Sequence, residues 1–130
     1  MKDKFELVKQ YLHEMDLTIV SEVPEEGLVV VDDEEDGIKN LVIDCEDPIL
    51  VIEQVIMQVK SDSGNFFKRL LQMNRSLVHG AFVLDEEAKL VIFRDTLQLE
   101  NLDRNELEGS IHALGLALSE YGGELLEYTE

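Results

Sequence analysis

The acidic run DDEEDG at positions 32–37 comes closest to a ligand motif. Asp32, Glu34 and Asp36 put carboxylates at alternate positions ahead of Gly37, the donor spacing and sharp turn that open a calcium-binding EF-hand loop. The second half of that pattern is missing. Ile43 stands where the bidentate glutamate belongs, Lys39 stands at the hydrophobic anchor position, and the flanks are β-branched strands rather than helices. The run reads as an acidic hairpin turn, and weak cation binding by Asp32, Glu34 and Asp36 is kept as the minor alternative.

Other constellations carry less. His13, His79 and His112 are scattered, and none sits in a metal-binding pattern, so no metal ligand is expected. Ser110 lies two residues before His112 but in mid-helix, not on a strained turn that presents a nucleophile. With 29 acids in the chain, any one carboxylate pair says little about acid–base catalysis. The GGE near the C-terminus lacks the following helix and lysine of a phosphate cradle. Cys45 falls in a strand between Asp44 and Glu46, neighbours that disfavour a thiolate. No catalytic residue and no cofactor are expected, and the protein reads as non-enzymatic.

Eleven basic residues against those 29 acids leave a net charge of −18, which repels phosphate backbones, so nucleic acid is not an expected partner. Lys60, Lys68, Arg69 and Arg75 form the nearest thing to a basic cluster, without interleaved aromatics that would stack bases. Asp3, Glu6 and Lys9 interrupt what would have to be an apolar signal core, and no later run is long enough to span a membrane. A cytoplasmic protein without membrane contact is expected, and a single cysteine is consistent with a reducing compartment.

The elements that would position any site follow from periodicity. Phe5, Val8, Leu12 and Met15 recur at helical spacing. LTIVSEV and GLVVVDD read as strands joined by the turn PEEG, and KNLVIDC as a third. Residues 49–59 form a fourth strand with both faces largely apolar: Ile49, Val51, Val55, Met57 and Val59 on one, Leu50, Ile52 and Ile56 on the other. Such a strand needs cover on both sides, from its own helices or another subunit. Gln54 and Gln58 share the second face, which is therefore expected to be the less buried one. SDSG supplies turn and capping residues before a second helix with Phe66, Phe67, Leu70, Leu71 and Leu77. AFVL and KLVIF make a hairpin after Gly80. Asp103, with Glu106 three positions on and Leu102 and Leu107 as a staple, starts the last helix. Gly122 and Gly123 are expected to end it, leaving 124–130 loose or adding a short strand. The order helix, strands, helix, hairpin, helix predicts one α+β domain over 1–130, an antiparallel sheet with three helices mainly on one side.

The stretch LLQMNRSLVHGAFVLDEEAKLVIFRDTLQLENLDRNELEGSIHAL resembles the later half of the Tir-chaperone-like superfamily, which unites class I type III secretion chaperones with bacterial sensory-transduction-regulator proteins. Leu70, Leu71 and Asn74 fit its helix-two motif, Gly80 and Phe82 open the hairpin, Leu84 and Asp85 lead into the turn, and Leu107 begins the final helix. The resemblance covers residues 63–121 well. It implies a small acidic homodimer that binds an extended segment of another protein without chemistry. Candidate contacts are Phe5, Val8, Leu12, Leu50, Ile52 and Ile56, with Phe82 and Phe93 as hairpin anchors. The alternative within the same class is a regulator-like binding domain with no secretion role.

Overall fold

The computed structural model describes residues 2–60 and 64–129. The chain runs α1 (Lys2–Glu14), β1 (Thr18–Val23), β2 (Leu28–Asp33), β3 (Ile38–Glu46), β4 (Ile49–Gln58), α2 (Gly64–Asn74), β5 (Ala81–Leu84), β6 (Leu90–Gln98) and α3 (Arg104–Leu126). Short 3-10 turns at Pro24–Glu26 and Glu34–Asp36 link the first three strands. All six strands form one antiparallel sheet in the order β1-β2-β3-β4-β6-β5. The α+β class and element order are those the sequence predicts. The capping residues expected before α2, at 61–63, and the last residue of the tail lie outside the described residues.

The core fills the space between the helices and one face of the sheet. Phe5, Val8 and Leu12 come from α1, Phe66, Leu70 and Met73 from α2, and Leu107, Ile111, Leu114 and Tyr121 from α3. The sheet meets them with alternate residues, because successive strand side chains point to opposite faces. Val29 and Val31, Leu41 and Ile43, Leu50 and Ile52, Phe82, and Val91 and Phe93 all belong to this one buried cluster. The registers Val29 opposite Ile43, Ile43 opposite Ile52 and Phe82 opposite Phe93 keep them in line across the strands.

Asp103 caps α3 as expected: its carboxylate accepts from the Glu106 N–H at 2.7 Å, and Leu102 and Leu107 are both buried beside it. The predicted end of α3 is corrected. The helix continues through Gly122 and Gly123 to Leu126, since Tyr121 and Leu125 on either side of the glycines are both buried in the core. That packing outweighs a propensity cost of about 1 kcal/mol for each glycine. The segment beyond is not loose either. Tyr128 stacks on Phe66 at 4.3 Å, its carbonyl accepts from Lys60 N–H at 3.0 Å, and Thr129 bridges to Val59.

A bare sheet face as candidate partner-binding surface

The other set of alternate strand residues points away from the helices. Val30, Val42, Val51, Val55, Ile92 and Val83 lie in this set, and none joins the core cluster; Val51 is buried by its neighbours, and Val30, Val42, Val83 and Ile92 are half-buried. Pairing arranges them in rows: Val30 faces Val42, Val42 faces Glu53 and Glu53 faces Arg94, while Val55 faces Ile92 and Ile92 faces Val83. Val55 is 56% exposed. A groove of about 510 Å³ crosses β3 and β4 here, lined by Val42, Asp44, Val51, Glu53 and Val55, with Lys39 and Asn40 at its end.

Acids outnumber bases on this face. The Asp44 carboxyl is held above the ordinary carboxylate range, first by desolvation and then by the nearby carboxylates of Glu46, Glu26 and Glu53. Arg94 supplies a base, and it is ion-paired with Glu53.

The two edges of the sheet differ. At β5 the Asn74 carboxamide accepts from the Phe82 N–H at 2.8 Å and donates to the Phe82 carbonyl at 3.0 Å, so a side chain occupies the place of a further strand. At the opposite edge β1 pairs only with β2 among the described residues. Val20 and Val23 of that strand are exposed.

Most residues expected as partner contacts are packed inside the chain. Phe5, Val8, Leu12, Leu50, Ile52, Phe82 and Phe93 are all buried in the core cluster, and only Ile56 keeps part of its surface. The two faces of β4 are also assigned the other way round from the sequence expectation. The face of Leu50, Ile52 and Gln54 is the one under the helices, and the glutamine does not mark solvent: its amide oxygen accepts from the Lys39 N–H at 2.9 Å and its NH₂ donates to the Gly37 carbonyl at 3.2 Å. Gln54 thus continues the ladder where β3 bends away at Asn40, which has a positive φ of 52°. A register shift between Val55 and Met57 then reverses the alternation, and Met57 and Val59 turn into the core. Sequence reading missed the bare-face residues Val42, Asp44 and Glu53. Their signal was the alternation within β3, once the parity of the covered face is known.

The chemical motifs resolve as structural features. The Asp32 carboxylate accepts from the Asn40 N–H at 2.7 Å and pairs with Lys39, which lowers its pKa, the Asn40 bond being the main cause. It serves the β2–β3 hairpin, and no group of three metal-ligating side chains occurs among the described residues. Ser110 is buried and donates to the Asp95 carboxylate at 2.6 Å, whereas His112 is exposed on α3. Burial, with the Asp44 charge, pushes the Cys45 thiol up to about 11.

This arrangement matches a known family. The CesT_Tir_1 family model fits residues 1–130. The chain belongs to that family. No curated protein matches the sequence. Among solved structures it is similar in fold to YbjN from E. coli, with 12% identity, TM-score 0.69 and 92% of each chain covered. A protein from Methanothermobacter thermautotrophicus aligns with 19% identity and TM-score 0.69, over 95% of this chain and 97% of that one. The Yersinia pestis type III secretion chaperone SycH, solved in complex with a stable fragment of YscM2, aligns with 14% identity and TM-score 0.61, over 89% of this chain and 98% of that one. The fold is therefore chaperone-like. Among the described residues no helix is long and apolar enough to cross a membrane.

Proposed function

We propose that this protein is a non-enzymatic, chaperone-like homodimer that binds an extended segment of another protein. The observation that carries the reading is the six-stranded sheet with helices on one face only. The other face offers Val30, Val42, Val51, Val55 and Ile92 around a shallow groove, and β1 offers an edge to which an extended chain can add as a strand. The family and the complex of SycH with a YscM2 fragment support a polypeptide as the occupant. The contacts first expected at Leu50, Ile52, Phe82 and Phe93 move one residue along their strands, to Val51, Glu53, Val83 and Ile92. On the helical side Leu71, Val78, Leu116 and Leu126 are each more than two thirds exposed and supply apolar area for self-association.

A photo-crosslinking residue at Val55 in the full chain tests the site, with the same probe at exposed Asn105 or Glu120 as the reference. Crosslinks at Val55 to one stretch of a partner, mapped by mass spectrometry, are the expected result. Equal yields at all positions would remove the bare face as the binding surface. Sedimentation equilibrium tests the dimer, and a monomer at micromolar concentration would overturn that part.

A further inference from the structure

We infer that the groove across β3 and β4 selects a cationic segment, one whose sheet-facing side chains mix apolar residues with lysine or arginine. The inference rests on the reading that the bare face binds a polypeptide, and it names the chemistry of that polypeptide.

Two features of the groove set its occupant. Val55, with the half-buried Val42 beside it and the buried Val51 as floor, presents apolar surface whose removal from water favours an apolar side chain over it. Asp44 lines the same groove, opposite both Leu28 and Val51, and the charges that act on it are Glu46, Glu26 and Glu53. An apolar cover without a counter-charge would desolvate this carboxylate further and raise its cost. A side-chain cation at that position supplies the missing partner and offsets the repulsion among the four acids. The two bases at hand do not do this: Arg94 is paired with Glu53 in the next row, and Lys39, at the end of the groove, is paired with Asp32.

The same charges argue against a second copy of this chain as the occupant. Two copies stacked face to face would bring two Asp44 and Glu46 sets into one interface, on molecules that each carry a net charge of −18. Like charges at the centre of an interface are unfavourable, so self-pairing is left to the helical side. A cationic segment meets both the local acids and the field of the whole molecule, which also speeds its encounter with the groove.

The test uses the full chain, labelled with ¹⁵N, and three capped peptides: Ser-Val-Ser-Lys-Ser-Val-Ser-Lys-Ser and its versions with Glu or Gln in place of both lysines. The lysine peptide is expected to shift the amide signals of Val42, Val51 and Val55 and to bind at least about tenfold more tightly than the glutamate peptide, with glutamine between them. D44N combined with E46Q, both at exposed or half-exposed strand positions, is expected to reduce that contrast severalfold, weakening the lysine peptide and strengthening the glutamate one. Equal binding of all three peptides at these amides would overturn the charge selection and leave polypeptide binding at this face intact. An unchanged contrast in the double variant would overturn it too. Shifts confined to other surfaces, with all three peptides, would remove the bare face as the site and this inference with it.

Discussion

The Asn74 carboxamide bonds both backbone polar groups of Phe82, and so the last residue of α2 acts as a one-residue strand against the edge of β5. An open edge at this short strand would invite pairing with another chain. Asn74 closes it and ties α2 to the hairpin, beneath which the Phe82 ring packs edge-on against both Phe93 and Tyr121. β1, by contrast, keeps its outer edge. The asymmetry gives the sheet a direction in which it can be extended.

Asn74→Ala removes both bonds and leaves two partly buried backbone groups without these partners. A loss of about 1–3 kcal/mol in urea denaturation is expected, with faster amide exchange at Phe82. Asn74→Asp keeps the acceptor but sets a carboxylate against the Phe82 carbonyl. Its folded-state pKa should therefore rise, making its deficit smaller at pH 4 than at pH 7. Equal deficits for Ala and Asp at both pH values would show that the paired geometry does not matter.

The glycines separate into two kinds. Gly80 has φ +74°, and a Cβ there would fall on the ring of the fully buried Phe93. Gly80→Ala is expected to cost about 2–4 kcal/mol, from left-handed backbone strain together with overpacking. Gly122 and Gly123 lie inside α3, and a Cβ at either would meet nothing within 4 Å. Gly122→Ala should therefore stabilise by about 0.5–1 kcal/mol. Both are read from chemical denaturation midpoints, and a stabilising Gly80→Ala would contradict the placement of Phe93.

These positions also show what the sequence could disclose. Signals confined to one turn of chain were legible: the Asp103 cap with its Glu106 partner, the turn at Gly80, and the periodicity of α1. The covered face of β4 was not, because Leu50 and Val51 are equally apolar and only tertiary packing decides which lies under the helices. Gln54 pointed the wrong way for the same reason. A buried amide is cheap when two backbone groups wait for it, and those groups become available only where β3 bends at Asn40. Gly122 and Gly123 look like a helix end until Tyr121 and Leu125 are seen packed on either side of them.

Asp44 gives a pH dependence whose sign is fixed. Its folded-state pKa is raised, by desolvation foremost, so the native chain holds this proton more tightly than the unfolded one. The associated stability is fully present below the unfolded aspartate value and is lost as the pH rises through the folded one. D44N removes that loss. The variant is expected to melt about 1–3 °C above the parent at pH 7, the gap closing as the pH falls below the ordinary aspartate range. A variant less stable at pH 7 would mean that Asp44 has a cationic partner within the chain.

Cys45 tests the strand placement beneath these acids. The residue is buried in β3 on the helix-covered face, and its backbone N–H donates to the Gly27 carbonyl at 2.8 Å. Burial first and the Asp44 charge second raise the thiol from 9.0 to about 11. Only roughly one thiol in a thousand is then ionised at pH 8, compared with about one in eleven at the starting value of 9.0. Alkylation by iodoacetamide at pH 8 should accordingly be at least about a hundredfold slower in the native chain than in urea, and should accelerate with pH up to about 11. Raising the pH through that range also removes stability, because the native state binds the thiol proton more tightly than the unfolded state does. Native labelling as fast as that of the unfolded chain would place Cys45 at the surface, and would reverse the face assignment of β3 on which the groove of Val42 and Asp44 depends.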